Sequence, residues 1–195
     1  IEKGQSLGNF YMWRFAGIND KGEWMVYDKD GDIISIALAE ESDRQIVGNG
    51  LPKFNLSTTH SFRYRNFDLS LFFRGAFGFD IFNVHDYYYG TRKFNGNVLK
   101  KAYGKNLEVS PTSPHAVTSY FMEDGDYFKL EQLTLGYTLR MPKCRFLDGV
   151  RIYGSVNNVF TITKFSGVDP STYQVNGLQP GAQGGRSYYP STRQF

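Results

Sequence analysis

The sequence holds a single cysteine, Cys144. That excludes an internal disulfide framework and any zinc site built on paired cysteines. Long hydrophobic runs are missing as well, since no stretch approaches the roughly 18 consecutive apolar residues of a membrane-spanning helix. Neither sign of charge dominates, with 22 Lys and Arg against 19 Asp and Glu for a net charge of +3. The basic residues are dispersed and form no phosphate-tracking stripe, so nucleic acid is excluded as a partner. His60, His85 and His115 stand far apart, in no i, i+4 metal spacing and beside no nucleophile motif. The chain therefore reads as a non-enzyme. Its first residues, Ile1 to Gln5, carry neither an initiator Met nor a signal peptide, so it is expected to lie inside something longer.

What is abundant is aromatic residues and glycine: 17 Phe, 14 Tyr, 2 Trp and 21 Gly, a mixture that favours strands and turns. From Phe54 to Tyr64 the even positions Phe54, Leu56, Thr58, His60, Phe62 and Tyr64 alternate with polar Asn55, Ser57, Thr59, Ser61 and Arg63. This is a strand with one apolar and one polar face. After Arg65-Asn66 the apolar set moves to odd positions: Phe67, Leu69, Leu71, Phe73 and, past Gly75, Phe77, Phe79 and Ile81. A two-residue hairpin loop explains the switch, because Tyr64 and Phe67 then sit opposite and share a face. Asn66 is expected to supply the positive φ of that loop.

Further strands are expected from Tyr127 to Leu139, from Val150 to about Phe160, and near the end at Ser187-Tyr188-Tyr189 and Thr192-Arg193-Gln194-Phe195. Phe128 and Leu130 fall out of phase with Leu133, Leu135, Tyr137 and Leu139, which predicts a bulge near Glu131-Gln132. Each run lasts about ten residues, the length of a tilted membrane-crossing strand and longer than soluble strands usually are. Connections alternate: residues 65 to 66 and 140 to 149 are tight, while 1 to 52, 82 to 126 and 161 to 185 read as long excursions. Short turns at one rim and long loops at the other are the rule of an outer-membrane barrel. The expected class is all-β, a transmembrane antiparallel barrel, and five strands must be part of a larger wall because the smallest barrels have about eight. A mean hydropathy of -0.43 agrees, since such strands are apolar on one face only.

Several segments resemble, in order, the SusC-like and RagA-like TonB-dependent outer-membrane transporters. Gly8-Asn9-Phe10-Tyr11 through Gly17-Ile18 resembles an aromatic segment of that family, and Ile46-Val47-Gly48 through Pro52-Lys53-Phe54 is similar to its lead into a barrel strand. Asn66 to Gly75 looks like the hairpin partner, and Asp126-Tyr127-Phe128-Lys129-Leu130 through Leu135-Gly136-Tyr137-Thr138-Leu139 like a later strand. Asn157-Asn158-Val159-Phe160-Thr161 with Gly167-Val168-Asp169-Pro170 matches a late motif. The resemblance implies a barrel of about 22 strands with an N-terminal plug. Residues 1 to 195 would be the C-terminal part of its wall, with plug and TonB box upstream. It further implies import of glycans or peptides with a SusD-like surface lipoprotein, driven by TonB, ExbB and ExbD, in outer-membrane lipid of a Gram-negative bacterium. The chain reads as stopping short of the family's last strand, so Phe195 is not taken as its terminal aromatic. A siderophore or cobalamin receptor, or a soluble β-sandwich carbohydrate-binding module, is the alternative.

Candidate ligand contacts are Tyr87, Tyr88 and Tyr89 with Asp86 and Arg92, and the indoles of Trp13 and Trp24. Sugar rings stack on flat aromatic faces, although the aromatic girdle of a barrel rim is the favoured reading of the same residues. Arg63, Asp68, Arg74 and Arg151 are expected to face the lumen, where charge is tolerated. His60, on the apolar face, is expected at the membrane or its rim, and the loop 161 to 185 against the lipoprotein. No cofactor is expected. Asp28, Asp30 and Asp32 alternate as in a calcium loop, yet Ile33 occupies the position where such a loop requires Gly, so a solvated turn is the plainer reading.

Overall fold

A computed structural model describes residues 3–114, 116–143, 146–172, 180–181 and 191–195. In chain order its strands are β1 (Asn9–Trp13), β2 (Phe15–Ile18), β3 (Trp24–Tyr27), β4 (Ile33–Ser35), β5 (Arg44–Asn49), β6 (Phe54–Tyr64), β7 (Phe67–Phe77), β8 (Asp80–Phe82), β9 (Met122–Asp124), β10 (Tyr127–Arg140) and β11 (Gly149–Thr163). One short helix, α1, spans Val84–Tyr89. The four long strands form one antiparallel sheet in the order β11-β10-β7-β6. At 15, 14, 11 and 11 residues they are each long enough to cross a bilayer.

Tyr64 pairs with Phe67 around a two-residue turn, as alternation requires. The left-handed residue of that turn is Arg65, with φ of 54°, and not Asn66. The register slips between Leu130 and Gln132 against both neighbours of β10: Glu131 is the extra residue against β7, while against β11 two residues, Asn158 and Val159, stand opposite it. Parity restarts there, which lets Phe128 and Leu130 share a face with Leu133 and Leu135.

That apolar face is uncovered. Phe54, Phe62, Tyr64, Phe67, Leu135, Ile152, Phe160 and Ile162 all count among the exposed large hydrophobics. Aromatic pairs run along it, Phe54 on Phe77 at 5.0 Å, Phe73 on Phe128 at 5.4 Å and Phe67 on Tyr137 at 4.7 Å between ring centroids. A soluble sandwich buries such a face against a second sheet, and this sheet has none. Along β6 and most of β11 the outer edges have no partner strand among the described residues, apart from a bridge between Asn157 and Gln194. Long open edges of this kind belong to a wall that continues.

Apart from the two tight turns and residues 191–195, which lie beside the middle of β11, the rest of the described chain gathers at the end of the sheet opposite the Arg65-Asn66 turn. It is a folded cap and not the polar excursions the sequence suggested. Residues 9 to 49 form a β1-β5 pair and a β2-β3-β4 sheet, and β8 pairs with β9. Their shared core contains Phe10, Met12, Trp24, Val26, Ile36, Phe82, Val84, Val109, Ala116 and Phe121. A second cluster, Ala76, Phe79, Ile81, Tyr127 and Phe165, joins the cap to the strand ends. The expected strand at 187 to 189, His115 and Cys144 lie outside the described residues. Among the described residues no helix is long and apolar enough to cross a membrane, which says nothing of strands.

Candidate functional site

The polar face of the sheet carries all four charged residues singled out above. Arg63 lies opposite Asp68 across β6 and β7. Arg151 reaches Asp68 from β11 by two hydrogen bonds, Nε to Oδ1 at 3.0 Å and Nη2 to Oδ2 at 2.5 Å. Arg74 meets Glu131 at 2.7 Å, a contact that the bulge creates by turning its extra residue toward this face. Nearer the cap lies a pair the sequence reading missed: Lys129, 2 per cent exposed, stands 3.7 Å from Asp169. Burial by itself raises the Asp169 pKa, but hydrogen bonds from Ser171 and Ser191 and the Lys129 ammonium hold it below the usual range. The one sequence signal was that Lys129 sits out of phase beside the bulge.

The cap uses its aromatic residues as core. Trp24, 2 per cent exposed, packs edge to face against Phe15 and Tyr120 at 5.8 and 5.1 Å and tilts against Phe121 at 5.6 Å. It has no face open to a ligand. Tyr87, Tyr88 and Tyr89 lie on α1 and do not form an extended girdle segment, and Tyr87 packs on Phe82 and Phe121 at 5.5 and 5.3 Å. Burial raises the pKa of Tyr87 and of Tyr120, whose hydroxyl donates to Asn106 Oδ1. Trp13 is half-buried, its Nε1 donating to the Glu40 carbonyl at 2.9 Å and its ring lying 4.2 Å from the Arg44 guanidinium.

Asp86 and Arg92 serve the scaffold. The Asn83 side chain caps α1 by accepting from Asp86 N at 3.0 Å, and buried Asp86 pairs with Lys101 at 2.8 Å. Arg92 Nη2 donates to the carbonyls of Leu107 and Val109 at 2.8 and 3.3 Å. Glu123, on β9, is the hub beside them. It accepts from Asn83 Nδ2 at 2.9 Å, from Ser166 Oγ and N at 2.6 Å each, and lies 3.8 Å from Lys101. Burial pushes its pKa up, and these donors overrule that and hold it below its ordinary value. One side chain thus ties α1, residues 100–103 and the segment after β11 together.

Asp28 closes a turn, its Oδ1 accepting from Asp30 N at 2.9 Å and Asp32 N at 2.8 Å. Among the described residues no three His, Cys, Asp or Glu side chains converge as a metal site. The same turn borders an open cleft of about 430 Å³ lined by Arg14, Tyr27, Asp28, Lys29, Asp30, Gly31, Ser42, Arg44 and Gln45. Only the Asp28–Asp32 run marked part of this cleft in the sequence, because its residues come from three separate segments.

Comparison with known proteins bears on this geometry. No family model matches the chain. It is 28% identical to TonB-dependent receptor P3 of Formosa agariphila, over 100% of its own length and 22% of that protein. It is 25% identical to TonB-dependent receptor SusC of Bacteroides thetaiotaomicron, over 86% of its own length and 17% of that protein. Among solved structures it is similar to the RagAB peptide transporter, with a TM-score of 0.71 and 20% identity over 95% of the chain and 22% of that structure's chain. The RagAB peptide importer in its open-open state gives a TM-score of 0.66 at 18% identity, over 90% of the chain and 20% of that structure's chain. The chain therefore spans about a fifth of the length of the relatives it matches. Its fold is that of a partial outer-membrane transporter barrel, and proteins of this kind are receptors and transporters, not enzymes.

Proposed function

With the chain a SusC- and RagA-like stretch of a TonB-dependent outer-membrane barrel, we propose that the protein to which it belongs imports a nutrient across that membrane, energised by TonB, ExbB and ExbD. The observation that carries the reading is the two-sided sheet: four bilayer-length strands with an uncovered apolar face outward and a charged face inward, under a folded cap. The apolar face fits lipid, and the charged face fits an aqueous lumen, where Arg63, Asp68, Arg74 and Arg151 escape the penalty of roughly 2 to 4 kcal/mol that a Lys or Arg incurs on the lipid side at mid-membrane. The wall is read as late in the polypeptide, with the plug and TonB box upstream.

A SusD-like lipoprotein is the expected partner, and the cap is the surface that would meet it, because it stands at the rim opposite the tight turns. The substrate is a glycan or a peptide. A siderophore or cobalamin receptor is disfavoured by the similarity to TonB-dependent receptor SusC, which extends over 86% of the chain. The test is copurification and uptake. The protein extracted in detergent should carry a surface lipoprotein encoded beside it, and deletion of tonB should abolish uptake of its substrate. A barrel that purifies without such a lipoprotein and transports without TonB contradicts the proposal.

A further inference from the structure

We propose that the cleft between the β3–β4 turn and the start of β5 binds an acidic sugar, one carrying a carboxylate or sulfate ester, so that the imported substrate is an anionic oligosaccharide. This rests on the import reading above and names its substrate class.

The cleft has the size of a small-ligand site, about 430 Å³. No aliphatic side chain lines it. Its lining carries three cations, Arg14, Lys29 and Arg44, against two carboxylates, Asp28 and Asp30, and Asp28 is engaged inside the fold. Asp28 Oδ1 takes two backbone N–H groups of its own turn, and buried Asp43, behind the cleft, takes Lys29 N at 3.1 Å and Glu40 N at 2.8 Å. Neither Arg14 nor Lys29 has a carboxylate partner among the described residues. Arg44 reaches only Glu41, at 2.8 Å, on a side chain 75 per cent exposed. Such a surface pair competes weakly with a ligand anion.

Both guanidinium groups are held in place before any ligand arrives. Arg14 lies 4.9 Å from the centre of the Tyr27 ring and Arg44 lies 4.2 Å from that of Trp13. Stacking restrains long side chains, which lowers the ordering cost of binding. A guanidinium so placed suits a carboxylate or sulfate, because it offers paired donors to paired oxygens. Around them stand the Ser42 hydroxyl, the Asp30 carboxylate and the Gln45 amide, the last fixed by donating to the Asp28 carbonyl at 3.3 Å. Mixed donors and acceptors on short or planar groups suit ring hydroxyls. Arg clusters also recognise acidic peptides, but a peptide is the poorer fit here, because no aliphatic side chain lines the cleft to take its neighbouring side chains and one face of Tyr27 is already covered by Arg14.

The test is isothermal titration of the full-length transporter, purified in detergent, with trigalacturonate, a sulfated trisaccharide, maltotriose and triglutamate. Binding of either acidic sugar, weakened by salt and reduced about tenfold by Arg14→Gln and by Lys29→Gln, is the expected result. Both are surface side chains, and intact folding of each variant is checked by heat-modifiable migration. Equal binding of maltotriose, preference for triglutamate, or unchanged affinity in both variants overturns the site. Uptake by the intact cell separates the two readings. TonB-dependent uptake of a neutral glycan or a peptide, with no acidic sugar bound, defeats this inference alone. Absence of any TonB-dependent uptake defeats the import reading, while the titration still decides the site.

Discussion

Asp68 and Arg151 grip each other across a strand that separates them. Asp68 is on β7, Arg151 on β11, and their two hydrogen bonds of 3.0 and 2.5 Å pass over Gly136 of β10. A Cβ on Gly136 would lie 2.5 Å from Arg151 Nη2 and 2.6 Å from Asp68 Oδ1. Three strands are thus stitched on the charged face where a side chain is missing.

Gly136→Val should break this contact by steric exclusion. Its urea midpoint in detergent should fall, and most of that loss should vanish in a background already carrying Asp68→Ala and Arg151→Ala. Equal losses in both backgrounds would mean that the glycine matters for the strand and not for the pair.

Leu71, in the middle of β7, pairs with His60 and Leu133 on the apolar face. Leu71→Lys should cost about 2–4 kcal/mol if that face meets the bilayer midplane, and the variant should fail to accumulate in the outer membrane. Ser70→Lys, one residue away on the opposite face, should accumulate normally. Equal accumulation of the two would contradict the assignment of faces.

Trp24→Ala should destabilise the cap by about 3–5 kcal/mol, the usual loss for a buried large aromatic. Limited proteolysis should then cut within residues 9 to 49 or 80 to 126 while the four long strands stay protected. A variant as resistant as wild type would show that the indole is not the centre of that core.

The cap should also loosen in acid. Glu123 has its pKa held below the ordinary 4.5, so its share of stability is complete above that value and is lost as pH falls through the lower, folded-state value. Protease sensitivity of the cap should therefore rise on going from pH 6 toward pH 3, and Glu123→Gln should flatten the rise. An unaltered profile in the variant would assign the acid sensitivity to other groups, Asp169 first.

Much of the wall was legible because a strand has a rigid two-residue period. Phe54 to Tyr64, the parity change at Arg65-Asn66 and the bulge at Glu131 all follow from which side of a pleat each residue must take. The cap was not legible, since Trp24, Tyr87 and Phe121 come together from distant segments without a local pattern. The same holds for the candidate site: the charges of β6, β7 and β11 could be assigned to a face from alternation. Glu123, Asp169 and the cleft residues Arg14 and Arg44 acquire partners only through tertiary contact. The positive φ fell on Arg65 and not Asn66, because the preference of Asn for that conformation is a tendency that the turn as a whole overrides.

In a barrel wall, one face of the long sheet meets lipid and the other meets water. The direct measurement is spin labelling at successive positions of β7 in the full-length protein, with Cys144 replaced by Ser and the barrel in phospholipid vesicles. Labels at 67, 69, 71 and 73 should be quenched by oxygen dissolved in the membrane, and those at 68, 70, 72 and 74 by an aqueous nickel chelate. An environment that does not alternate along the strand, or that alternates in the opposite sense, would contradict the claim.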